Sequence, residues 1–136
     1  MSDIAYTPIL PEGWPRPRGF SQAVRSTGSR TVRVAGQVAQ EPGKPVAVGL
    51  EIGAQWRLAL ANVVTVVRAA GGDVGNIVAL RAYVTDITAF REAGPAIGAA
   101  WAATLGRHFP AMTLVEVTGL LDSQAVVEIE AEADLP

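Results

Sequence analysis

The sequence predicts a single α+β domain in which two helices cover one face of a sheet and leave its other face open. Three observations lead there. A two-residue alternation of side chains recurs over residues 31–38, 76–87 and 125–133, the period of half-buried strands. Residues 49–70 repeat their apolar side chains at helical spacing. The chain has 136 residues, 49% of them hydrophobic and 18% charged, which suits one domain with ample core material.

Residues 1–18 carry Pro8, Pro11, Pro15 and Pro17. Proline fixes φ and has no N–H to donate, so an extended arm is expected there, with the domain proper over 19–136. Its Pro15-Arg16-Pro17-Arg18 run reads as a surface arm or, less simply, as a peptide ligand. Residues 20–24 and 31–38 read as two strands joined by a hairpin turn at Thr27-Gly28-Ser29. Residues 41–45 form a loop. In the helix over 49–70, Ile52, Trp56, Leu60, Val63, Val64 and Val67 make one stripe, and Gly71-Gly72 stops it. This glycine pair ends a helix and is followed by no Lys-Ser or Lys-Thr, so it is no phosphate loop.

Residues 76–87 read as a strand with Val78, Leu80, Ala82 and Val84 on one side and Ile77, Ala79, Arg81 and Tyr83 on the other. A single second helix is expected over 88–105, capped by Thr88, with Gly94-Pro95 near its start and Gly106 at its end. Strands over 111–119 and 125–133 close the chain.

Composition excludes several function classes. There is no Cys, and His108 is the one histidine, so thiolate and multi-histidine metal sites are excluded. Ten Arg and one Lys are scattered against thirteen acids, for a net charge of −2, which argues against nucleic acid as a partner. Met1 to Tyr6 lacks the basic start and apolar run of a signal peptide, and no apolar stretch is long enough to span a bilayer. A cytoplasmic protein without a membrane partner is expected.

The face left open by the helices is neither fully apolar nor fully charged. It is expected to carry Arg33, Arg81, Glu116, Glu128, Glu130 and Glu132 beside Ala35, Ile77, Ala79, Tyr83, Met112 and Leu114. Lone buried charges are costly. Such a face suits a subunit interface with Arg–Glu pairs across chains, the alternative being a solvated face with surface ion pairs.

Seven segments then resemble the RidA/YjgF family in order and spacing. They are Gly19-Phe20-Ser21-Gln22-Ala23-Val24, Val34-Ala35-Gly36-Gln37-Val38, Gln55 with Leu60-Ala61-Asn62-Val63, Ala70-Gly71-Gly72, Tyr83-Val84-Thr85-Asp86-Ile87, the run from Phe109-Pro110-Ala111-Met112 to Val117, and Val127-Glu128-Ile129-Glu130-Ala131. The resemblance covers residues 19–133. It implies a chorismate-mutase-like fold, with a mixed sheet of about six strands and two helices on one face. It also implies a homotrimer whose sheets line a central barrel, with clefts between subunits. Such proteins hydrolyse reactive enamines and imines to a keto acid and ammonia, without metal or organic cofactor. Some relatives have been credited with ribonuclease activity, which needs phosphate-binding cations near the cleft, and Met112 removes the obvious one.

The departures bear on substrate. The family's deaminases have Arg at the position of Met112, where its planar fork holds the substrate carboxylate. The family often has Tyr at Phe20, Ser at Ala35 and Asn at Gly94. Glu128 matches the Glu thought to position or activate water. By residue type, Glu128 is a general acid or base, or an ion-pair partner of Arg33 or Arg81. Met112, Phe20 and Trp101 line an apolar pocket for a small molecule, or simply pack an interface. Gly36 admits close backbone approach, and Gln37 donates to a ligand or satisfies the sheet. His108 is expected as an exposed loop residue, a proton shuttle being the alternative. The sequence thus points to an imine/enamine deaminase of altered substrate. The alternative is a non-catalytic trimer that binds a small molecule.

Overall fold

The computed structural model describes residues 4–136, so the first three residues of the expected arm lie outside the described residues. The elements are β1 (Tyr6–Ile9), β2 (Ala23–Ser26), β3 (Arg30–Gln37), α1 (Ile52–Ala69), a 3-10 turn (Val74–Asn76), β4 (Ile77–Val84), α2 (Ile87–Glu92), α3 (Gly94–Thr104), β5 (Ala111–Glu116) and β6 (Val127–Leu135). The six strands do not form one sheet. Strands β1 and β2 make an antiparallel ribbon, and the other four make a mixed sheet in the order β3-β6-β4-β5. Within it β4 and β5 run parallel, while β6 is antiparallel to both its neighbours.

The core lies between this sheet and the helices. Along β6, Val127, Ile129, Ala131, Ala133 and Leu135 are buried and the residues between them are half-exposed, as their alternation requires. Against them α1 lays Trp56, Ala59, Leu60, Val63, Val64 and Val67. Each fully buried Leu or Val here stabilises the fold by roughly 1.5–3 kcal/mol. Helix α1 ends in a Schellman motif. Gly71 takes a φ of 95°, Gly72 N–H donates to the Val67 carbonyl at 3.0 Å, and Gly71 N–H to that of Arg68 at 3.0 Å. No helix among the described residues is long and apolar enough to cross a membrane.

Four sequence expectations change. The hairpin at Thr27-Gly28-Ser29 does not form, because β2 pairs with β1 and β3 pairs with β6. That segment instead runs against the end of β6, where Ser29 N–H donates to the Leu135 carbonyl at 2.9 Å. A methyl group on Gly28 would lie 2.6 Å from Asp134 Cβ, so the glycine serves close approach, not a turn. The Tyr6–Ile9 segment of the arm is the ribbon's first strand.

The single second helix is two. Asp86, not Thr88, is the N-cap, and its carboxylate accepts from Ala89 N–H at 3.0 Å. The break falls at Ala93, because Pro95 has no N–H to continue the ladder and instead opens α3.

The faces of two strands also differ. In β4 a bulge between Ile77 and Ala79 turns Ile77 into the core, where it is fully buried. In β5, Met112 pairs with Leu80 and Leu114 with Ala82, so both take the helix-covered face and pack on the core. Both residues had been expected on the open face. A parallel partner puts register-matched residues on one side, and alternation alone does not say which.

One buried side chain ties helix to sheet. Gln55 is 1% exposed. Its amide donates to the carbonyls of Leu50 (3.0 Å) and Gln124 (2.9 Å), and its oxygen accepts from Val126 N–H at 2.8 Å. Replacing Gln55 with Leu keeps the volume and strands three buried backbone groups. It should lower stability by about 2 kcal/mol or more in urea denaturation.

Candidate functional site

The open face is built from β3, β6 and β4. On β6 the acids Glu128, Glu130 and Glu132 project from alternate positions, all half-buried. Arg81 reaches Glu132 at 3.5 Å and Glu130 at 3.9 Å, and Arg33 reaches Glu132 at 3.9 Å. The Arg–Glu pairs expected between chains are thus made within one chain. These pairs are half-exposed and long, and each contributes little to stability. Tyr83 donates to Glu130 at 2.5 Å. That hydrogen bond holds the phenol protonated above its ordinary range.

Glu128 stands apart from its row. Among the described residues it has no hydrogen bond and no ion pair, so the ion-pair reading with Arg33 or Arg81 has no contact in the chain. Its carboxylate lies over Gly36. Between Val34 and Gln37, β3 holds one residue more than β6 opposite, a bulge containing Ala35 and Gly36. A methyl group on Gly36 would sit 2.7 Å from Glu128 Cδ and 2.9 Å from Cγ, closer than real contacts allow. Gly36 therefore makes the space the carboxylate occupies. Ala35 is exposed beside it, and Gln37 folds back to donate to the Ala35 carbonyl at 3.0 Å. Glu128, Ala35, Gly36 and Gln37 are thus brought together on one surface.

The remaining candidates are elsewhere. Met112 is on the helix-covered side of β5. Gly94 opens α3 and is exposed. Trp101 is a core residue, 7% exposed, whose indole N–H donates to the His108 carbonyl at 3.2 Å and whose ring stacks on Phe109 at 5.9 Å. Its packing in the core replaces the expected lining of an apolar pocket. Phe20 lies on the segment that crosses the start of β5, where Ser21 bridges Ala111 and donates through its N–H to the Pro110 carbonyl at 3.1 Å. Since Glu128 and Met112 belong to opposite sheet faces, one chain cannot bring them to one ligand.

His108 is not the exposed loop residue expected. It is half-buried, with a ring nitrogen 2.7 Å from the Ile77 carbonyl and its ring 4.6 Å from that of Tyr6. A carbonyl only accepts, so that nitrogen carries the proton. Burial pushes the imidazole below its ordinary pKa, and the Ile77 bond offsets part of that. Tyr6 was not picked out from sequence. Its hydroxyl donates to the Phe109 carbonyl, 103 residues away, at 2.7 Å, and no local pattern signals so distant a partner. No group of three or more His, Cys, Asp or Glu among the described residues could hold a metal.

Comparison with known proteins agrees with this architecture. Residues 15–135 match the family model described as Endoribonuclease L-PSP. A RutC family protein of Pyrococcus horikoshii is 29% identical over 134 residues, covering 98% of each chain. A 2-iminobutanoate/2-iminopropanoate deaminase of Salmonella typhimurium is 37% identical over 105 residues, 75% of this chain and 77% of its own. A solved structure of a Rid family protein of unknown function from Yersinia pestis superposes with a TM-score of 0.84 at 33% identity, covering 96% of this chain and 98% of its own.

Two outcomes are expected. Gly36→Ala should cost about 1–3 kcal/mol in urea denaturation, and much less in a Glu128→Ala background, because the clash is between those two side chains. Protonating the buried His108 disfavours the fold. Its contribution is fully present above an unfolded-state pKa of about 6.5 and declines as pH falls toward the lower folded value. His108→Gln should flatten stability between about pH 7 and pH 5 in the same assay.

Proposed function

The chain belongs to the Endoribonuclease L-PSP family, the RidA/YjgF family, and from that premise we propose that it is a hydrolase of reactive imines or enamines lacking an amino-acid carboxylate. The reading is supported above all by Glu128, a half-buried carboxylate with no cation partner, held over a glycine that makes room for it. In this reading the working unit is a homotrimer in the cytoplasm, and no cofactor takes part. Because Glu128 and Met112 occupy opposite faces of the sheet, the cleft is composite. One copy supplies Glu128, Ala35, Gly36 and Gln37. A neighbour supplies Met112 from the exposed edge of β5, with Phe20 and Gly94 bordering it.

The chemistry follows from those residues. Glu128 takes a proton from a water whose oxygen bonds to the imine carbon. It returns that proton to the nitrogen to give a carbinolamine; a second proton then passes through Glu128 from the carbinolamine hydroxyl to the nitrogen as the C–N bond breaks, so that ammonia leaves and a carbonyl product remains. The Salmonella relative's name specifies 2-imino acids, whose carboxylate calls for a cation. Met112 offers a flexible apolar surface instead, which suits an uncharged substituent. Arg33 and Arg81 are engaged with Glu130 and Glu132, which speaks against the ribonuclease reading. One observation favours a non-catalytic binding protein instead. Phe20, Ala35, Gly94 and Met112 have no side-chain hydrogen-bonding group to orient a reacting substrate.

Freshly generated imines test this directly. Purified protein should hydrolyse imines of simple ketones or aldehydes faster than 2-imino acids. Glu128→Gln should lower kcat by about 10²-fold or more. Met112→Arg should shift preference toward 2-imino acids. Equal rates for wild type and Glu128→Gln would remove Glu128 from the chemistry. Tight retention of a ligand with no turnover of any imine would favour the binding protein.

A further inference from the structure

We infer that the groove where the start of α1 meets α2 and α3 binds a small apolar primary amine as its ammonium ion, at a site separate from Glu128. The groove encloses about 810 Å³, within the range of small-molecule sites. Gly53, Ala54, Ala89, Ala93 and Ala96 line it, none with a side chain beyond Cβ. The helices approach closely here, since a methyl group on Gly53 would lie 2.8 Å from Ala96 Cβ. Short side chains on both sides leave open the space that longer ones would fill. Leu50, Ile52 and Val126 add larger apolar surface, and neither Glu128 nor Met112 lines the groove.

Three polar side chains complete the wall, those of Glu51, Thr85 and Asp86, and no Lys, Arg or His among the described residues joins them. Asp86 gives one carboxylate oxygen to the Ala89 N–H at 3.0 Å and keeps the other without a partner among the described residues. Glu51 stands at the N-cap of α1, yet its carboxylate makes no capping hydrogen bond. Neither that carboxylate nor the Thr85 hydroxyl has a hydrogen bond or ion pair with any described residue.

The balance of charge decides the sign of the ligand. Helices α1 and α2 both begin at the groove, and each helix start carries at most about half a positive charge. Two carboxylates outweigh them by about one full negative charge. An anion is therefore disfavoured, and one cation balances the site. An ammonium ion has three N–H donors. The groove offers three acceptors, the unused Asp86 oxygen, the Glu51 carboxylate and the Thr85 hydroxyl. An alkyl chain on that nitrogen lies against Leu50, Ile52 and Val126, which a bare ammonium ion would leave unused. The inference does not rest on hydrolysis at Glu128.

NMR titration of the full chain tests it with pentylamine, which is protonated at neutral pH. The controls are pentanol (the chain without the charge), methylamine (the charge without the chain) and pentanoate (the chain with the opposite charge). Pentylamine should bind at least about tenfold tighter than each control and shift the methyl signals of Ala54, Ala89 and Ala93. Asp86→Asn keeps a good N-cap while removing the charge, and Glu51→Gln removes the other charge. Each should weaken pentylamine on the order of tenfold, and the double variant should bind it no better than pentanol. Both acids are exposed, and circular dichroism checks that the variants stay folded. The proposal fails if pentanol or pentanoate binds as well as pentylamine, or if the double variant binds pentylamine as wild type does. It also fails if Glu128→Gln alone removes the binding, which would put the ammonium ion at the other site.

Discussion

Strand β6 is the constraint on which the rest of the structure depends. It is hydrogen-bonded on both sides, to β3 and to β4, and together with β3 it meets α1 across the core. Its register has no freedom. A slip of one residue would send Glu128, Glu130, Glu132 and Asp134 into the helices and expose Val127, Ile129, Ala131 and Ala133. With β6 set, β3 and β4 are set against it, and β5 is set against β4.

Three amide side chains, two of them buried, then fix the chain where regular elements end. Gln55 holds the start of α1 to the loop entering β6. Asn62 donates to the carbonyls of Val38 and Gln40, both at 2.9 Å, and so anchors the chain leaving β3. Asn76, fully buried, accepts from Asp73 N–H at 2.8 Å and donates to the Asp134 carbonyl at 2.8 Å. Each satisfies backbone groups that burial would otherwise leave without partners. Two of these ties bracket the strands that carry the Gly36 bulge and Glu128. The spacing between glycine and carboxylate is therefore held by the fold, not by any contact of Glu128 itself.

The same sheet separates Glu128 from Met112. Its open face holds a carboxylate with room around it, while neighbouring acids are matched by Arg33, Arg81 and Tyr83. Its covered face and outer edge hold the apolar residues, Met112 among them. A ligand that touches both must lie between copies of the chain.

The sequence by itself determined the α+β class, the α1 stripe and the β6 alternation. All of these follow from periodicities carried by neighbouring residues. Some local signals lost to stronger ones. Asp86 capped α2 ahead of Thr88, and Pro95 split one apolar helix into two. The tertiary structure alone decided which strands pair, and with that the face taken by Ile77, Met112 and Leu114. A bulge and a parallel partner each reverse a side chain's direction without changing the local pattern. It also decided that His108 is held by Ile77 and that Tyr6 reaches Phe109. The glycine at position 36 was legible as a place of close approach. That the group approaching it is the Glu128 carboxylate was not, because the two residues lie 92 positions apart and meet only through the register of β3 on β6.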